Sequence, residues 1–251
     1  MVTGRPEYSG SFLDKIVEGL LVLLPPAALL GPWAGSGRVF GYRILVVLLV
    51  GCAVTGWIYP IWVRRFSRAA CAIVVVAVAW AVTGVVGAMR LGPRRDLSSL
   101  MGAGLALAGA WSVARLISDR HIRRERALRD VAIGWAVAVW VGAPLAVWEI
   151  LTARHLGTYA DGAWRNHPGL YRQPATWLTN PNLYAVFLAV GSVWVGVVGV
   201  RSATRWVRIA AIATAVTGLG LLLATDSRIV YAALLLAVMV LSLIHISEPT
   251  R

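Results

Sequence analysis

Acidic residues, cysteine and lysine are scarce in this chain. Of 251 residues only 11 are Asp or Glu and 2 are Cys, and Lys15 is the one lysine. Charged residues make up 14% of the chain, where a soluble globular domain carries about 25%, so an ordinary soluble domain is excluded. Cys52 and Cys71 both sit inside apolar runs and read as small packing residues. Two cysteines provide neither a disulfide framework nor a zinc pattern. The first apolar run lacks a small-x-small exit, so it reads as an uncleaved first span. Soluble domains, internal repeats and low-complexity linkers are likewise lacking. Nucleic-acid binding is disfavoured, because the arginines are scattered over many short segments instead of gathered on one domain.

What is abundant is hydrocarbon. The AVILMFWYC residues make up 59% of the chain, and the mean hydropathy is +0.73. Several apolar runs approach the roughly 20 residues that cross a bilayer as a helix. The reading is all-α: a polytopic helical membrane protein with about eight spans. They are expected at Ile16–Trp33, Ile44–Trp62, Ala69–Met89, Leu97–Ile117, Val131–Leu151, Asn182–Val200, Ile209–Ala224 and Ile229–Leu243. Pro25 and Pro26 are expected to kink the first.

The net charge of +13 is read as topological. Alternate loops carry 14 basic residues on one side, including Arg64, Arg65 and the segment 118–130, against 9 on the other. Basic loops stay in the cytoplasm. The long loop from Thr152 to Pro181, Arg172 and Arg228 then face outward.

The end of the chain, LSLIHISEPTR (residues 241–251), resembles the translation of a transposase sequencing adapter. The natural residues of this chain are therefore expected to end near Val240, and the natural protein to continue past that point with other residues. His245 and Glu248 are set aside as site residues.

On the outer face, Asn180 is a good N-cap and Pro181 suits the first helical position, with Asn182 in the first turn. Thr225, Asp226 and Ser227 offer capping oxygens before the last helix. Helix starts favour anions, phosphate above all. Arg172 and Arg228 would add two permanently charged, planar donors. The simpler alternatives are that Arg228 snorkels or pairs with Asp226, that the asparagines only cap, and that Arg172 is an ordinary loop charge.

YRQPATWLTNPNLYAVFLAV (171–190), followed by a further span and TDSRIVYAALLLAV (225–238), resembles the O-antigen ligase and polysaccharide polymerase superfamily. There an Arg precedes a glycine-containing stretch and an Asn-Pro-Asn at a helix start, and a Ser-Arg pair opens a later helix. Two departures are Ala175–Thr176–Trp177 in place of the glycine-containing stretch and Ile229 where a small residue commonly follows Ser-Arg. The resemblance divides the chain into residues 1–170, with five helices and an outer loop, and residues 171–240, the start of a ligase-like domain. It implies a membrane-embedded glycosyltransferase. Such an enzyme transfers glycan from an undecaprenyl-pyrophosphate carrier to a glycan, lipid or protein acceptor, with no cofactor. Arg228 and Arg172 would hold the pyrophosphate, and Asn180, Asn182 and Ser227 would shape the substrate site. The family's base lies in a later outer loop, which this fragment lacks, so the fragment alone is expected to be inactive. His155, His167, Asp161 and Glu149 are the local candidates for a base, Glu149 reading as an interfacial residue. The rival readings are a flippase for polyprenyl-linked glycans and a non-catalytic membrane scaffold.

Overall fold

The structure, a computed structural model, describes residues 12–36, 39–58, 104–105, 107–113, 124–155, 172–178 and 180–235. The span expected at Ala69–Met89, most of the one at Leu97–Ile117 and the adapter-like tail lie outside the described residues.

The described chain is helical. It contains α1 (Phe12–Leu30), α2 (Gly41–Ile58), α3 (Arg124–Thr152), α4 (Pro181–Val200) and α5 (Arg205–Ala224). A last helix, α6, is described over residues 228–235, and residues 107–113 are helical as well. Two short 3-10 turns, Gly31–Ala34 and Thr176–Leu178, flank the longer elements. A two-residue antiparallel ladder pairs Gly35 with Phe40 and Ser36 with Val39.

Among the described residues, three helices are long and apolar enough to cross a membrane: Glu125–Thr152, Pro181–Val200 and Arg205–Ala224. Each coincides with an expected span, but α3 and α5 start earlier than hydropathy implied, at Arg124 and Arg205 instead of Val131 and Ile209. Hydropathy marks only the apolar part of a helix. The preceding RERALRD (124–130) contains good helix formers and no breaker, so the helix runs on through polar residues. α1 likewise starts at Phe12, and it stays helical through Pro25 and Pro26.

The chain divides into two compact units, one made of residues 1–24 and 35–131, the other of residues 25–34 and 132–251. In the first, Val17, Leu21, Val46 and Leu49 are buried, and Gly109 sits against the Val46 side chain. The second unit carries the sequence motifs.

Its frame is the packing of α3, α4 and α5. Gly199 faces Ala211, Gly196 faces Ala215 and Gly218 faces Ser192. Those residue numbers run in opposite directions, so α4 and α5 form an antiparallel hairpin, closed by the loop 201–204. Glycine at each crossing lets the two backbones approach, the usual basis of close helix packing in membranes. α3 is antiparallel to α4 by the same logic. Trp135 covers Gly191, and Gly142 receives the Tyr184 ring. Trp135 also meets the Phe187 ring at 4.5 Å between centroids, tilted by 54°. A polar tie adds to this: the Trp140 indole N–H donates to Thr214 Oγ1 at 2.9 Å, and that hydroxyl donates to the Ala210 carbonyl at 2.8 Å. The outward side of α4 is equally apolar, with Leu183, Val186, Val190, Val193 and Val197 exposed in a 3-4 repeat. A helix that is hydrophobic all round suits a core or a membrane.

The arrangement brings four helix ends together: the end of α3, the start of α4, the end of α5 and the start of α6. They share one apolar cluster containing Ala146 and Ile150, Tyr184 and Leu188, Leu221 and Leu222, and Val230 and Tyr231.

A methyl at Gly199 would collide with the Ala211 side chain, whereas one at Gly220 meets nothing within 4 Å. Gly199→Ala is therefore expected to lower stability by about 1–3 kcal/mol, and Gly220→Ala to leave it within about 0.5 kcal/mol. Thermal unfolding in detergent measures both.

Candidate functional site

The site is built where those helix ends meet. α4 opens as the sequence implies. Asn180 is extended at φ −143 and ψ 119, its Oδ1 accepts the Asn182 N–H at 2.8 Å, and Pro181 occupies the first helical position. The Asn180 carbonyl accepts the Tyr184 N–H at 3.0 Å.

The second expected helix start differs in detail. The Ser227 carbonyl accepts the Val230 and Tyr231 N–H groups, each at 3.1 Å, so Ser227 stands at the head of α6. Its hydroxyl leaves its own helix alone and donates to Asn182 Oδ1 at 2.8 Å. Thr225 turns backward, its Oγ1 donating to the Leu222 carbonyl at 2.7 Å. Asp226 adopts φ 51, the left-handed position that follows a helix end and that Asp tolerates better than most residues. Its N–H donates to the Leu223 carbonyl at 3.2 Å. The Tyr231 hydroxyl closes the end of α5 by donating to the Leu222 and Leu223 carbonyls at 3.2 and 2.8 Å.

Asn180, Asn182 and Ser227 thus form one hydrogen-bonded chain across two helix starts, although 45 residues separate Asn182 from Ser227. Both asparagine side-chain oxygens are engaged internally. The side-chain groups directed elsewhere are amide donors. Arg228 follows Ser227 and is exposed; Arg172 opens the segment 172–178 and is exposed too. Among the described residues neither arginine forms an ion pair, so the pairing of Arg228 with Asp226 is not made.

Sequence reasoning missed the element beneath. Glu149 was expected at an interface; it is fully buried. Its Oε2 accepts the Ala175 N–H at 2.8 Å and the Thr176 N–H at 2.9 Å. Its Oε1 lies 3.2 Å from His155 Nδ1. Thr176 is buried and sits at φ 52, unusual for a β-branched side chain. The signal available in sequence was a lone carboxylate near the end of an apolar helix, which demands a partner. Its partners are 26 and 27 residues away and are backbone groups, which leave no trace in residue type. Of the other base candidates, Asp161 and His167 lie outside the described residues. No group of three or more metal-binding side chains occurs among the described residues.

Comparison with known protein families, with curated proteins and with solved structures finds no match.

Two outcomes test this geometry. Ser227→Ala and Asn182→Ala remove two ends of one bond, so their stability losses are expected to be non-additive, with coupling of about 0.5–3 kcal/mol in a double-mutant cycle. Glycine fits a positive φ freely and valine poorly, so Asp226→Gly is expected to hold the melting temperature in detergent and Asp226→Val to lower stability by about 1–3 kcal/mol.

Proposed function

We propose that this chain is part of a membrane-embedded glycosyltransferase of the O-antigen ligase type, with about eight spans in this fragment. It would take glycan from an undecaprenyl-pyrophosphate carrier on the outer face of a bacterial cytoplasmic membrane. The observation that carries the proposal is the Asn180–Asn182–Ser227 chain. It joins the two motifs on which the resemblance rests, next to the exposed Asp226 and Arg228, while Arg172, also exposed, opens the segment whose turn Thr176–Leu178 packs on α4.

That surface fits a diphosphate on chemical grounds. A diphosphate presents only acceptor oxygens and carries several negative charges. Arg172 and Arg228 supply planar, permanently charged donors, and the start of α6 supplies first-turn N–H groups that have no partner within their own helix. In glycosyl transfer the acceptor oxygen forms a bond to the anomeric carbon. The bond from that carbon to the diphosphate oxygen breaks, and its electron pair leaves with the diphosphate. Charge therefore grows on the leaving group at the transition state, where fixed guanidinium groups lower the barrier most. The acceptor proton goes to a general base.

A flippase would use the same arginines without breaking a bond, and a scaffold would not use them. In the full-length protein, Arg228→Ala is expected to reduce glycan transfer by at least about 100-fold while leaving membrane insertion intact. Transfer at the unaltered rate rejects the proposal. Movement of lipid-linked glycan without bond formation indicates the flippase.

A further inference from the structure

We infer that Glu149 is a positioning residue for the diphosphate site: its buried carboxylate holds the segment 172–178 in one shape and thereby sets where Arg172 stands. The inference rests on the function proposed above and deepens it.

Glu149 is 0% exposed, yet it is a carboxylate on an apolar helix. Burying such a charge is costly unless donors meet it. Two of the donors are consecutive backbone N–H groups, those of Ala175 and Thr176, on one oxygen. Two short bonds from neighbouring amides to one buried oxygen hold the segment to α3. The other oxygen faces His155 Nδ1 at 3.2 Å. Among the described residues Oε1 makes no hydrogen bond, and the carboxylate as a whole is buried away from the surface on which Arg172 is exposed.

The segment also holds a conformation it would not take alone. Thr176 is at φ 52, where glycine is at ease and a β-branched residue is strained. Its N–H is one of the two that Glu149 binds. Pro174, Ala175 and Thr176 are buried, while Arg172 is exposed. A fixed base with a charged tip is the shape expected of a group set in place before its ligand arrives. The 3-10 turn Gly31–Ala34 packs on Thr176–Leu178 and supports the segment from another side.

A residue that merely stabilises the fold would weaken binding independently of Arg172, whereas a positioning residue acts through Arg172. Equilibrium binding of undecaprenyl pyrophosphate to the protein in lipid nanodiscs separates the two. Arg172→Ala and Glu149→Ala are each expected to weaken binding about tenfold, as loss of one charge-assisted contact does. The double variant is expected to bind no more weakly than Arg172→Ala alone. Glu149→Gln keeps one oxygen for the two N–H groups and is expected to stay within about threefold of the unaltered protein. Multiplicative losses in the double variant overturn the inference. So does full affinity in Glu149→Ala when Arg172→Ala binds weakly. Full affinity in both Arg172→Ala and Arg228→Ala instead overturns the site itself. Should Glu149→Ala fail to fold, hydrogen exchange on the unaltered protein decides: the 175 and 176 amides are expected to slow when undecaprenyl pyrophosphate is added, and unchanged rates overturn the inference.

Discussion

Where helices end beside apolar surface, their backbone groups need partners, and this need governs one end of the second unit. Each helix leaves N–H groups unpaired at its start and carbonyls unpaired at its finish. Here α3 and α5 finish where α4 and α6 begin, so donors and acceptors accumulate in one place. The chain answers carbonyls with donors drawn from nearby: Thr225 and Tyr231 for α5, and the Ala153 N–H for the Glu149 carbonyl at the end of α3. It answers N–H groups with Asn180 and with Glu149. Once these demands are met, what remains at the surface is a set of donors together with the exposed Asp226 carboxylate.

That outcome joins structure to the proposed chemistry. Several local oxygens that could repel an anion are engaged internally, the exposed carboxylate of Asp226 being the exception. Asn182 Oδ1 accepts from Ser227, Asn180 Oδ1 accepts from Asn182, and the Glu149 carboxylate is buried. The two arginines are left outward. Fixed donors that need no rearrangement are the feature by which a transferase stabilises a departing diphosphate. The left-handed backbone at Thr176 and Asp226 is the accompanying cost of turning the chain so tightly at both segments.

How much of this could be read in advance follows the range of the interactions. The α4 start was legible because Asn180, Pro181 and Asn182 are adjacent and capping is local. The three spans found among the described residues were legible because hydropathy accumulates along a helix. Their polar ends were missed because a helix can continue outside its apolar part. The Ser227–Asn182 bond, the Tyr231 closure and the Glu149 hold all required knowing which helix ends lie together. Serine was read as a cap for its own helix, the common use, and Glu149 as interfacial because Trp148 stands beside it. Neither residue type says that its partner lies on another element.

The central claim is that positions 172 and 228 share a donor-rich surface on the non-cytoplasmic side. Cysteine placed singly at these positions, in a variant with Cys52 and Cys71 replaced, can be tested with a membrane-impermeant maleimide on intact cells. The account expects both positions to react from outside, and excess undecaprenyl pyrophosphate to protect both. Labelling of either position only after the cells are opened would contradict it.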